Sequence, residues 1–334
     1  MSELAHPMMQ TSSDACCLPR AVVTDDADCL AHSISGWSQD YEQLKGGRFS
    51  GSLSELCFGQ TQLFLEQTSL ALRQRCNVPA GHVWFGLPRC EDRCVRINGA
   101  AVQGGRIAVH RGGIDFELVT PDALAFLGIV VHEDVLMDYA RQFECEDWLS
   151  KAIDRPALDV DEQKKFAVQR DCYAILQHPH GERRGTGASP LNQSLADSTL
   201  CALFSLLHDA RPALDDRHAG RQRHRLVERA DAYVRAHSDR LVTVSELCTQ
   251  LNTSRRALQS GFQEVLGVGP HAYIRAISLN GVRSHLRNPS SPYASVQDAA
   301  AAYGFWHMSQ FAVDYRELFG ERPSDTLKRR LVAA

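Results

Sequence analysis

The spacing of apolar side chains changes along this chain, and each change marks a different kind of structure. From Ile34 to about Val131 the apolar positions come in short runs: FSGSLSELCFG, TQLFLEQTS, LALRQRCNVPAG, HVWFGLP, GRIAVHRGG, IDFELVTP and FLGIVVHED. Gly, Pro and Asn break them. Runs of this length between turn residues predict a compact antiparallel β-domain, a roll or barrel. Glu133 to Phe143 then reads as a helix. Two longer amphipathic segments follow, DEQKKFAVQRDCYAILQ and LNQSLADSTLCALFSLLHDA, with the polar loop HPHGERRGTGAS between them. Leu195, Leu203, Leu206 and Leu207 of the second fit an intramolecular core better than a dimer seam. RPALDDRHAGRQRH reads as a linker.

Beyond the linker the period is helical and the pattern occurs twice. An offset of 53 residues lays Leu258, Phe262, Leu266, Gly267 and Pro270 on Phe311, Tyr315, Phe319, Gly320 and Pro323. FQEVLGVGP then covers YRELFGERP. A fixed offset of this kind marks one supersecondary unit used twice. Each copy has a short helix behind a hydroxyl cap (Thr243, Ser295), a tight break, and a longer helix ended by Gly. That is a helix-turn-helix. The i, i+4, i+8 spacing puts Phe311, Tyr315 and Phe319 on one buried face and leaves the polar residues outside. Between the copies PHAYIRAISLNGVRSHLRN starts with Pro at a first-turn position and reads as a rigid connector helix.

GFWHMSQFAVDYRELFGERPS and SRRALQSGFQ, over roughly the last hundred residues, closely resemble the DNA-binding domain of the AraC/XylS family of transcription regulators. The expected fold class is therefore α+β. It comprises a disordered tail over 1–30, a β-rich effector-sensing domain over 31–210 with its helical segment at 133–210, and a linker at 211–223. An all-α DNA-binding domain follows over 224–334, with its two units at 243–266 and 295–319. The resemblance implies a cytoplasmic protein that binds double-stranded DNA and a small effector. It also implies work with RNA polymerase and a capacity to form a homodimer. Two units on one stiff connector would sit in neighbouring major grooves on one side of the duplex. The expected base readers are Arg255, Arg256, Gln259 and Ser260 in the first copy, and His307, Ser309, Gln310 and Val313 in the second. Arg matches guanine and Gln adenine. Arg316, Lys328, Arg329 and Arg330 are candidates for phosphate.

Charge fits this division. From Arg221 onward there are 16 Lys+Arg against 10 Asp+Glu; the rest has 20 against 30. An acidic front and a basic back suit different partners. Eleven cysteines, irregularly spaced, read as free thiols, and CEDRC has no second pair at metal-ligand distance. No apolar run is long enough to span a bilayer. The start of the chain lacks a signal peptide's pattern. No nucleophile elbow, H-E-x-x-H, P-loop or helix-opening G-x-G-x-x-G is present, so an enzyme, for example one on a cupin-like β-domain, is a poor reading.

A narrower resemblance concerns the effector. WFGLP, HRGGIDFELVTPDALAFLGIVVHEDV and SRRALQSGFQEVLGVGPHAYIRAISLNGVRSHL are similar to the regulators of bacterial ethanolamine-utilisation operons within that family. This implies an activator that responds to ethanolamine together with adenosylcobalamin, with no covalently bound cofactor. An ammonium ligand wants a carboxylate and an aromatic face. Trp84, Phe85, Asp115, Glu117 and Glu55 are the available stock, with Trp84 and Phe85, in an apolar strand, fitting a core better than a cage. Strand alternation sends Asp115 and Glu117 the same way and Phe116 the other. Carboxylates facing the interior would need a cation. The D-x-H-x-x-G motif of base-off cobalamin domains is absent. A family member tuned to another effector and a structural nucleoid-type binder with no effector are the competing regulatory readings.

Overall fold

The computed structural model describes residues 19–89, 94–177, 190–213 and 219–333. The front of the chain folds as two facing antiparallel sheets. With strands numbered in chain order, the larger sheet runs β1 (Arg20–Thr24), β3 (Gly51–Phe58), β4 (Thr61–Thr68), β11 (Leu124–His132), β6 (His82–Arg89), β9 (Arg106–Arg111), β12 (Ala157–Asp159) and β13 (Arg211–Pro212). The smaller runs β2 (Ser38–Gln43), β5 (Leu72–Asn77), β10 (Phe116–Thr120), β7 (Val95–Ile97) and β8 (Ala100–Val102). The expected roll or barrel is not closed: the two sheets share no ladder and meet only through side chains. Alternation sorts those side chains. In β11, Leu127, Ile129 and Val131 join one core while Leu124, Phe126 and Val130 join the other. The second core lies between the sheets, where Trp84 stacks on Phe116 and Phe126 at 5.2 and 5.6 Å.

The first core lies on the far face of the larger sheet, under helices. These are α2 (Glu133–Gln142), α3 (Glu146–Ala152), α4 (Glu162–Gln177) and α5 (Pro190–Leu207). Leu203, Leu206 and Leu207 are buried there and Leu195 packs against them, so they serve the core. The amino-terminal tail is shorter than expected. Arg20–Thr24 pairs with β3, and α1 (Ala27–Ala31) buries Leu30 and Ala31 completely. The first eighteen residues, Cys90 of the C-x3-C pair and the loop at 178–189 lie outside the described residues.

The carboxy-terminal part is helical throughout: α6 (Ala219–Ala236), α7 (Val244–Gln250), α8 (Arg255–Leu266), α9 (Pro270–Arg287), α10 (Val296–Ala301), α11 (Met308–Phe319) and α12 (Pro323–Ala333). Helix α6 begins inside the stretch read as linker, and β13 pairs that stretch to the larger sheet. The expected caps are present. The Thr243 hydroxyl accepts from the Glu246 amide at 3.2 Å and that of Ser295 from Asp298 at 3.1 Å. Helices α8 and α11 both stop at a left-handed glycine, Gly267 at φ 70° and Gly320 at φ 69°. The phosphate candidates Lys328, Arg329 and Arg330 lie on α12. Arg330 donates to the carbonyls of His285 and Tyr293, and the exposed Arg329 pairs with Glu321 at 3.2 Å, so both brace the fold.

Candidate nucleic-acid interface and effector cleft

The two longer helices of the repeat are each sunk by one face and bare on the other. In α8, Leu258, Phe262, Val265 and Leu266 are buried, and Phe262 packs on Tyr273 of α9 with ring centres 5.1 Å apart. In α11, Phe311, Tyr315 and Phe319 form a ladder with centroids 5.6 and 4.7 Å apart, entered by Phe305. Each such ring contributes about 1.5–3 kcal/mol by leaving water. The Tyr315 hydroxyl bonds to Thr326 of α12 at 2.9 Å, and burial pushes its pKa up to about 12. The apolar stripe therefore fixes which way each helix faces.

Every expected base reader lies on the bare side. Arg255, Arg256, Gln259 and Ser260 are exposed on α8; His307, Ser309, Gln310 and Val313 are exposed on or just ahead of α11. Neither Arg255, Arg256 nor Arg316 makes an ion pair among the described residues. Ser254 caps α8 through the Ala257 amide at 3.1 Å, which aims the first turn and its two guanidiniums outward. His307 caps α11 by backbone only. The Gln310 amide donates to Asp314 at 2.9 Å, and Asp314 is paired with Arg275 of the connector α9. Sequence reading missed this brace, and it missed Trp306. That residue stands 74% exposed immediately before α11.

The expected effector residues do not converge. Trp84 is sealed between the sheets. Glu55 is buried and fully engaged, accepting from the Ser35 amide and hydroxyl and from Gln62 at 2.9, 2.8 and 2.6 Å. Asp115 and Glu117 do share a site, a cleft of about 700 Å³ at the open end of the sandwich. As expected they point opposite to Phe116. They face out of the sandwich, however, toward the helical domain. The cation they were expected to need is supplied in part by the protein itself: Arg73 Nε donates to Glu117 at 2.6 Å. Asp115 accepts from Asn77. Trp37 lines the same cleft and packs edge-on against Trp84 at 5.7 Å. Gln39 lines it too, 7% exposed, and its side-chain oxygen is sealed without a hydrogen bond among the described residues. Trp37 and Gln39 belong to the Phe116 side of the sheet; the excess carboxylate on the other side is the chemistry an organic ammonium ion would use.

The wall of the cleft belongs to the other domain. Arg73, 2% exposed, also pairs with Asp231 of α6 at 2.9 Å and donates to the Tyr273 hydroxyl of α9. That hydroxyl donates in turn to Asp231 at 2.5 Å. Burial pushes the Asp231 carboxyl up, but Arg73 and Arg235 more than offset this and hold it below the usual carboxylate range. Arg235 also reaches Glu42 of β2 at 2.7 Å. Farther along, Asn280 of α9 donates to the Gln43 carbonyl at 2.9 Å and accepts its amide at 3.1 Å. Arg283 and Arg287 both close on Asp26 beside α1. The outer face of the smaller sheet is thus a polar seat for the connector helix. Neither the period of the strands nor that of the helices signals this contact.

A family model described as "Helix-turn-helix domain" matches residues 247–329. The chain is 37% identical over 103 residues to the XylDLEGF operon transcriptional activator 1 of Pseudomonas putida, covering 31% of each protein. It is 30% identical over 122 residues to a probable thc operon regulatory protein of Rhodococcus erythropolis, covering 36% of this chain and 34% of that one. The chain thus spans about a third of the length of these curated relatives. A crystal structure of a probable AraC family transcriptional regulator from Rhodopseudomonas palustris CGA009 is 32% identical over 32% of this chain and 97% of that one, with a TM-score of 0.29.

Proposed function

We propose that this chain, whose C-terminal domain is similar to helix-turn-helix regulators of the AraC/XylS family, is a sequence-specific DNA-binding activator of transcription whose front domain senses a small effector. The observation that carries this reading is the pairing of two buried stripes with two bare faces. Helices α8 and α11 sink their aromatic and aliphatic sides into two cores that α9 joins, while Arg255, Arg256, Ser309 and Gln310 stand exposed. Basic charge on the same domain supports attraction to phosphate. Two helices on one connector suit successive major grooves, about 34–36 Å apart along a duplex.

The finer reading is an activator of ethanolamine utilisation that takes ethanolamine in the cleft of Asp115, Glu117 and Trp37, with adenosylcobalamin as a second effector and RNA polymerase as the partner at the promoter. The excess of carboxylate in the cleft supports the amine. A footprint of the full chain on its own promoter, with and without each effector, tests both levels. Two protected patches one helical turn apart are expected, and Arg256→Ala should weaken them by about tenfold. No protection under any condition removes the regulator reading. Protection indifferent to both compounds removes ethanolamine and adenosylcobalamin alone and leaves a member tuned to another effector.

A further inference from the structure

The two units of the repeat present different chemistry at equivalent places. Under the 53-residue offset Thr253, Arg255, Arg256 and Ser260 of the first fall on Trp306, Met308, Ser309 and Val313 of the second. Each exchange removes a cation or a hydroxyl and leaves an apolar or a smaller group. Exposure follows the same division. Among the described residues from Ala219 onward, the large apolar side chains standing in water are Trp306, 74% exposed, and Val313, 58% exposed, both at α11. Helix α8 shows water only polar and small residues.

An indole held this far out, beside the first turn of a helix, has no packing role in the free protein. Ser309 and Gln310 lie between it and Val313 on the same exposed side, so the apolar groups flank hydrogen-bonding ones. Gln310 is held by Asp314, and Asp314 by Arg275 from the connector. That leaves the Gln310 carbonyl and one amide hydrogen for a ligand, the pair of groups that matches adenine N6 and N7. The apolar flanks match the feature that distinguishes thymine in the major groove, its C5 methyl. Two free guanidiniums at the start of α8 match guanine O6 and N7.

We propose that the two units read chemically distinct half-sites: the first a guanine-bearing one through Arg255 and Arg256, the second an A·T one through Gln310 and thymine methyls seated on Trp306 and Val313. This rests on the reading of the chain as a DNA-binding regulator. Arg275 and Asp314 are positioning residues for Gln310.

The test is selection of random duplexes by the full chain, followed by binding of the selected site. Two blocks about 10 base pairs apart are expected, one carrying guanine and the other thymine and adenine. Replacing the thymines of the second block by 2′-deoxyuridine, which lacks the methyl, should weaken binding about fivefold. Trp306→Ala should keep the wild-type Tm and abolish that difference. Arg256→Ala should flatten the guanine block and leave the other. Asp314→Asn should relax the adenine preference at an unchanged Tm. Blocks of equal composition, or equal affinity for thymine and uracil, overturn the proposal while DNA binding stands. So does a Trp306→Ala variant that still discriminates the methyl but fails to activate transcription, an outcome that assigns the indole to a protein contact. Absence of any enrichment overturns the DNA-binding reading and the proposal with it.

Discussion

The two helix-turn-helix units share a skeleton and differ where they meet the rest of the molecule. Leu258, Phe262 and Leu266 of the first have the burial of Phe311, Tyr315 and Phe319 in the second. Both long helices end in a left-handed glycine. A methyl group added at Gly267 would meet open space, whereas one added at Gly320 would lie 3.0–3.1 Å from Arg48, backbone included. The reason is a loop of the front domain pressed on the end of α11. The Gln43 side-chain amide donates to the Leu318 carbonyl at 2.5 Å, and the Gly47 backbone amide to those of Glu317 and Leu318 at 3.2 Å. Those carbonyls have no partner within their own helix, so the loop satisfies them. Among the described residues the first unit has no such cap. The helices that flank it are tied to the front domain at another place, through Asp231 of α6 and Tyr273 of α9. Repetition has kept what internal packing demands and left the outer contacts of each copy to vary.

The largest test of this contrast is in the shared skeleton. Phe311→Ala should cost about 3–5 kcal/mol and Leu258→Ala about 2–5 kcal/mol, read by urea unfolding. One cooperative transition for both variants means that α9 makes a single body of the two units. A transition that splits for one variant means that they unfold separately, and the symmetry of the cores then has no thermodynamic counterpart.

Arg73→Ala comes next. It takes the cation from the half-buried Glu117 and one of three from the buried Asp231, which keeps Arg75 and Arg235, and should cost about 1.5–3 kcal/mol. The sign of its pH dependence follows from Asp231. A carboxyl held low in the folded state contributes stability above its unfolded pKa and loses it as pH falls through the folded value. Without Arg73 that contribution shrinks, since Arg235 still pairs with Asp231 at 2.8 Å, so the variant should lose less stability than the wild type on acidification. A parallel pair of stability–pH curves would place the anchoring elsewhere.

The glycines discriminate between the copies directly. Gly267→Ala should cost about 1–2 kcal/mol from left-handed backbone alone. Gly320→Ala should cost more, because Arg48 must also move. Equal shifts in calorimetric Tm would show that the front-domain loop does not bear on α11 in solution. The smallest expected effects are at the caps. Thr243→Ala should cost about 1 kcal/mol, and Ser295→Ala somewhat more, since its hydroxyl also donates to the Asp298 carboxylate at 2.6 Å.

Much of the helical domain could be read directly because its information is local. The i, i+4, i+8 stripe, the hydroxyl caps and the terminal glycines each act within one or two turns. Helix α12 escaped because its first residue, Pro323, reads equally as a stop after Gly320 and as a start. In the front domain Gly59, Asn77, Gly81 and Gly112 stand at strand ends, but Gly86 and Pro88 lie inside β6 and Gly128 inside β11. Whether the strands close into one barrel or split into two sheets depends on which edges pair, and edge pairing has no period. The effector residues show the same limit. Alternation placed Asp115 and Glu117 on a common side; it could not say which side faced the helical domain. Glu55 looked available because its partners, Ser35 and Gln62, lie far along the chain or across a sheet, whereas the apolar run around Trp84 already pointed to the core that holds it.

Alone, the order of residues determined that the chain has a β-rich front, a doubled helical unit behind it, and two helices with one polar face each. Those properties follow from period and from turn chemistry, which act between near neighbours. Tertiary structure decided that Arg73 sits between Glu117, Asp231 and Tyr273, that a front-domain loop caps α11, and that Trp306 stands in water. A buried ion pair or an exposed ring is set by which distant surfaces meet, and that is fixed only when the whole chain has packed.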